Sequence, residues 1–185
     1  MKRLLLIVAF LGLISSAFAD APFFIQIGGG YSFISYPADL ADTISEVESY
    51  PGVSRIPLAL DVAGGISIAP DSFLMLRLDC TGDRLSYGTN WVQINSYLYS
   101  IGVRHYWRRF FVDGALGMAR IVTQLNSVSD YSLSDPGFGI GGGVGYDFAG
   151  NQQRFGAILE AHGDALYIDG DNVSNISLLF DLCVE

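Results

Sequence analysis

The segment Phe138–Phe148, FGIGGGVGYDF, constrains this chain more than any other stretch. Its even positions are Phe138, Ile140, Gly142, Val144, Tyr146 and Phe148, and its odd positions are Gly139, Gly141, Gly143, Gly145 and Asp147. A strand sends alternate side chains to opposite faces. One face is therefore aromatic and aliphatic, and the other carries four glycines and a carboxylate. The outer face of a half-buried soluble strand would carry long solvated side chains. Glycines in their place describe a crowded interior, so the apolar face must look outward, toward lipid. The pattern recurs along the chain and predicts an all-β protein, an eight-stranded antiparallel up-and-down transmembrane β-barrel.

Eight alternating segments carry the prediction: Phe23–Ile34, Ile56–Ala69, Phe73–Asp83, Trp91–Trp107, Phe110–Thr123, Phe138–Ala149, Arg154–Ile168 and Ile176–Val184. Each reaches the roughly 9–11 residues that a tilted membrane strand needs. The connectors read as alternately long and short. Ser35–Arg55, Arg84–Asn90, Gln124–Gly137 and Asp169–Asn175 are the longer set; Pro70-Asp71-Ser72, Arg108-Arg109 and Gly150–Gln153 are the tight set. Long outer loops and short periplasmic turns give that asymmetry.

Alternation then assigns faces. The lipid-facing set includes Leu74, Leu76, Leu78, Tyr97, Tyr99, Ile101, Phe138, Ile140, Val144, Tyr146, Phe148 and Phe180. The opposite face carries Asp61, Arg77, Asp79, Arg104, Asp113, Asp147, Glu160, His162, Asp164 and Asp181, predicted to form a polar network in the lumen. An eight-stranded barrel is just wide enough inside for side chains to fill it. A turn at Arg108-Arg109 sets a register in which Arg104 faces Asp113. A turn at Gly150–Gln153 sets one in which Gly143 faces Glu160, Gly141 faces His162 and Gly139 faces Asp164.

The N-terminus reads as a secretory signal peptide over residues 1–19. Lys2 and Arg3 precede the apolar run Leu4–Ile14, and Ala17-Phe18-Ala19 supplies a small-x-small cleavage site. Residues 20–185 form the barrel domain. The full chain has 19 acidic and 10 basic residues, and cleavage would remove two of the basic ones. An acidic balance disfavours nucleic acid as a partner. Cys80 and Cys183 fall on opposite faces and are expected to stay unbridged.

Segments such as FFIQIGGGYSFI and GFGIGGGVGYDFAG resemble the small eight-stranded outer-membrane barrel families, for example the OmpA membrane domain and OmpX. The resemblance covers the signal peptide and essentially all of the domain. It implies an outer-membrane location, lipid as the main partner, and a structural or surface-interaction role without catalysis. Such barrels commonly end on an aromatic residue, whereas this chain ends Phe180-Asp-Leu-Cys-Val-Glu185.

No catalytic, cofactor-binding or metal-binding residue is assigned. Glu160, His162 and Asp164 share one face, but their roughly 7 Å repeat along a strand is poor for an acid–base pair or a tetrahedral metal site unless another strand contributes. A structural polar plug fits that spacing better. A narrow solute or proton pathway through the lumen is the alternative reading. A lipid A-modifying enzyme comes third, since it needs a Ser–His pair open to lipid and His162 has no Ser beside it. Loop 35–55 places Leu40, Ile44 and Val47 at helical spacing among Asp39, Asp42, Glu46 and Glu48. That loop and loop 124–137 are the candidate contacts for a surface partner, and the protein is expected to be a monomer.

Overall fold

The computed structural model describes residues 22–126, 131–148 and 155–184. The signal-peptide reading and the connector 150–153 lie outside the described residues. Strands β1 (Phe23–Ser35), β2 (Val53–Ala69), β3 (Ser72–Tyr87), β4 (Asn90–Trp107) and β5 (Phe110–Leu125) follow one another, with helix α1 (Ala38–Glu48) between the first two. A three-residue strand β6 (Tyr131–Leu133) precedes β7 (Gly137–Asp147), β8 (Phe155–Ile168) and β9 (Asp171–Val184). Every neighbour pairs antiparallel, and β1 pairs with both β2 and β9, so the sheet closes. β6 extends the wall beside the far end of β5, while β7 pairs along the rest of it. The result is a closed eight-stranded up-and-down barrel. Closure leaves no unpaired sheet edge, which is what permits a strand structure to stand in lipid.

The pleat sorts the side chains as alternation dictates. Phe23, Ile25, Ile27, Leu58, Leu60, Leu76, Tyr99, Ile101, Phe138, Ile140, Val144, Phe148, Leu178 and Phe180 are exposed, while Gln26, Asp61, Arg77, Arg104, Glu160 and Asp181 are buried. Leu78, Tyr97 and Tyr146 are half-buried on the outer face. A belt this apolar and continuous has no soluble counterpart. Leu76 stands in it at 67% exposed. Leu76→Arg is expected to cost about 2–4 kcal/mol near the bilayer midplane, read from the shift in urea midpoint of the protein in lipid vesicles.

Two features depart from the expected loop pattern. Arg84–Asn90 and Asp169–Asn175 are not loops. β3 and β4 run on to a turn at Gly88-Thr89, and β8 and β9 to one at Asp169-Gly170. Asp169 and Gly170 both have positive φ, at 54° and 90°. That is the conformation an Asp-Gly hairpin turn supplies. β7 ends at Asp147 and β8 begins at Phe155, against the expected Ala149 and Arg154. Long and short connectors therefore do not alternate strictly. Strands of 16 and 18 residues in β3 and β4 exceed what the bilayer requires, and their surplus projects at the end of the barrel opposite the termini.

Candidate functional site

The lumen is stratified. Nearest the termini, Phe24, Ala63, Met75, Tyr106, Phe111, Ile158 and Cys183 form an apolar layer. At the far end, Tyr36, Leu85, Ile94, Leu98, Ala119, Leu166, Ile168 and Val173 form a second, which includes Ile44 of α1. The charged residues lie between. Along β8 alone the order is Ile158, then Glu160, His162 and Asp164, then Leu166 and Ile168.

Two guanidinium groups organise the middle layer. Arg104 donates through Nε and Nη2 to Asp113 Oδ2 at 3.0 and 2.7 Å, through Nη1 to Gln26 Oε1 at 2.6 Å, and through Nη2 to Glu160 Oε2 at 3.3 Å. Its plane lies over Phe111, 3.9 Å from the ring centre. The Arg104–Asp113 contact follows from the β4–β5 register, in which the two residues face each other. Arg77 donates from Nε to Asp79 Oδ1 at 2.7 Å and from Nη1 to Glu160 Oε1, and its Nη2 lies 3.4 Å from Asp61 Oδ2. His162 touches a carboxylate at each ring nitrogen, Glu160 Oε1 at Nδ1 and Asp164 Oδ1 at Nε2, both at 3.0 Å. Asp147 is buried near the rim at the termini end, where its N–H donates to the Arg109 carbonyl.

The β7–β8 register is displaced by two from the expected one. Gly145 faces Glu160, Gly143 faces His162 and Gly141 faces Asp164. A two-residue shift preserves the face of every side chain, so glycines still stand opposite bulky polar groups. A Cβ on Gly143 would come within 2.6 Å of Glu160 Oε1, and one on Gly141 within 2.3 Å of Asp164 Oδ1.

The layer is short of positive charge. Arg77, Arg104 and His162 face Asp61, Asp79, Asp113, Glu160, Asp164 and Asp181. Asp61 Oδ1 and Asp181 Oδ1 both lie within 2.7 Å of where a Gly28 Cβ would sit, and among the described residues no N–H or hydroxyl donates to either. Buried carboxylates in this state require protons, water or a cation.

No protein-family model and no curated protein matches the chain. Solved structures do match. Neisserial surface protein A aligns with a TM-score of 0.60 at 11% identity, over 89% of this chain and 97% of that one. Ail, the attachment invasion locus protein of Yersinia pestis, in complex with the heparin analogue sucrose octasulfate, aligns with a TM-score of 0.58 at 13% identity, over 88% and 98%. The chain has the fold of the small eight-stranded outer-membrane β-barrels.

Sequence reasoning passes over a second charged cluster in this outer-membrane-type barrel. Asp83, fully buried at the far end, accepts from Arg55 Nε at 2.9 Å and Nη2 at 2.7 Å, a bidentate pair, and from the Tyr36 hydroxyl at 3.0 Å. Arg55 also reaches Glu48 at 3.2 Å. These contacts tie both ends of loop 35–55 to the wall while Ile44 anchors α1 into the apolar layer beneath. Burial, then the Asp83 charge, pushes the Tyr36 hydroxyl far above the usual tyrosine range, so it stays a donor. Gln26 is the other residue passed over. Its amide lies within 3.2 Å of Asp61, Glu160 and Asp181. Both were findable: Gln26 shares the parity of Gly28, and Asp83 that of Arg77 and Asp79.

One Ser–His contact exists outside the lumen. Ser72 Oγ lies 2.8 Å from His105 Nδ1 at the rim near the termini, with the ring edge-on to Trp107. Among the described residues no carboxylate bonds the other ring nitrogen, so nothing orients the imidazole as a general base.

Proposed function

We propose that this protein is an outer-membrane barrel with a structural and surface-interaction role, working through the face opposite its termini. The observation that carries this reading is the three-layer lumen, in which fully buried Arg104 and Glu160 lie between two apolar plugs, one of them capped by α1. A lumen filled in this way offers an ion no hydrated path. An even strand number puts both termini on one side, which for an exported barrel is the periplasm. α1 then faces the exterior.

The exposed side of α1 carries Asp39, Asp42, Glu46 and Glu48. Ail was crystallised with a polysulfate. An acidic helix repels such a ligand, so the partner proposed for this chain is a basic protein surface or, through bridging divalent ions, anionic lipid sugars. The acidic balance also argues against nucleic acid, and the closed sheet supports a monomer in lipid.

Planar bilayers separate this reading from a solute or proton pathway. The reconstituted barrel should show no stepwise current, and discrete conductance steps with wild-type protein would overturn the packed-lumen role. Mass spectrometry of lipid A from expressing cells should show no new species; altered acylation would restore the enzyme reading.

A further inference from the structure

We propose that the lumen holds a divalent transition-metal ion of the zinc class, ligated by Asp79, His162 Nε2 and Asp164. The site depends on tertiary structure. β8 alone offers His162 and Asp164 at strand spacing, and β3 brings Asp79 across the lumen to complete the set. His162 Nε2 lies 3.0 Å from Asp164 Oδ1 and 3.6 Å from Asp79 Oδ1, and one donor atom from each of the three residues falls within 4.8 Å of the others. Ligands about 2.0–2.2 Å from a tetrahedral zinc ion stand about 3.4 Å apart. The observed separations bracket that value.

Three further observations point to an ion rather than to an acidic cluster alone. The first is the imidazole's other nitrogen. Nδ1 faces Glu160 Oε1 at 3.0 Å, so with Nε2 on an ion the Nδ1 proton would be held by that carboxylate. That carboxylate–histidine pairing is the arrangement that orients metal-bound histidines. With no ion at Nε2, that nitrogen must carry a proton of its own to face Asp79 and Asp164. The second is Asp79 Oδ2. Asp79 is only 6% exposed, and this oxygen has no hydrogen-bond partner, while Oδ1 is already engaged by Arg77 Nε. The third is Gly141, whose Cβ would stand 3.2 Å from His162 Nε2 and 2.3 Å from Asp164 Oδ1. Glycine there is what lets the two donors converge against the β7 wall; solvent would supply the fourth ligand.

One imidazole with two carboxylates suits zinc or cobalt better than calcium or magnesium, which prefer oxygen alone. A divalent ion also offsets more of the carboxylate surplus than a proton on His162 would. Because apolar layers cover the site on both sides, the ion enters while the barrel folds and leaves slowly afterwards. The inference does not depend on the surface role.

The test is to refold the full-length barrel from denaturant into detergent micelles with cobalt(II), desalt it, and measure bound cobalt by elemental analysis and visible absorption. The wild type should retain about one equivalent with the d–d bands of a four-coordinate nitrogen–oxygen site. Asp79→Asn and His162→Gln should lose it, and Glu160→Gln should weaken binding by about 10–100-fold. Heat-modifiable gel migration identifies the folded fraction, and Asp164→Asn replaces His162→Gln if the latter does not fold. A folded wild type that retains no cobalt would overturn the proposal in favour of an imidazolium. Full retention by folded His162→Gln would overturn it as well.

Discussion

Arg104→Met should unfold far more readily than the wild type, with a loss on the order of 3–5 kcal/mol. The guanidinium is fully buried and donates to Asp113, Gln26 and Glu160. Methionine fills much of the volume beside Phe24 and Phe111 but leaves Asp113 and Glu160 to share Arg77 as their one remaining guanidinium. Asp113→Asn should cost less, because Glu160 and the Gln26 carbonyl still hold Arg104. The double variant should lose less than the two singles added together, since the partner left behind is no longer an unpaired charge. Urea titration of the refolded barrel in vesicles gives the three values. Strict additivity would show that Arg104 and Asp113 do not couple.

Gly141→Leu should abolish heat-modifiable migration, and Gly142→Leu should keep it. The two residues are adjacent and differ in face. A side chain on Gly141 grows into Asp164, His162 and Leu98, the nearest of these within 2.3 Å of its Cβ. The lumen cannot widen without breaking the ladders on both sides, so overpacking there has no outlet. On Gly142 the first obstacle is the Asp113 carbonyl at 3.0 Å, which must yield by a few tenths of an ångström, and the rest of the side chain extends into the lipid belt. Equal tolerance of both substitutions would mean that Gly141 does not face the lumen.

Much of the architecture was legible because the bilayer imposes one rule on every strand. Along a segment that crosses lipid one face is apolar over most of its length, and period two is unmistakable, as in Phe73–Asp83 and Phe138–Phe148. The β4–β5 register was legible for a related reason. Arg108-Arg109 is a two-residue turn, with Arg108 at φ 63°, so the pairing of Arg104 with Asp113 follows from counting. The β7–β8 register was not, because the glycine and polar residues of Gly150–Gln153 mark a turn without fixing the rung at which pairing begins. Strand ends were missed for the opposite reason. Beyond the belt the outer face of β3, β4 and β9 turns polar, at Arg84, Gln93, Asn172 and Ser174, while the inner face turns apolar, at Leu85, Ile94 and Val173, so the alternation inverts and no longer reads as membrane strand. The charged lumen residues were readable by parity, but their grouping was not. Asp79 meets His162 across the lumen, and no spacing within one chain segment encodes that distance.

The tall, turn-capped hairpins alter what recognition would cost at that end of the barrel. A binding surface made of long loops must be ordered when a partner arrives, at about 1–2 kcal/mol of backbone entropy per residue fixed. Here Ser86 to Asn90 and Ile168 to Asp171 are held by the ladders below them and by two-residue turns, and α1 is pinned by Asp83, Arg55 and Ile44. These described parts of the surface are preorganised. A partner that fits them meets little conformational penalty, and one that does not fit cannot remodel them, so discrimination rests on shape and charge already in place.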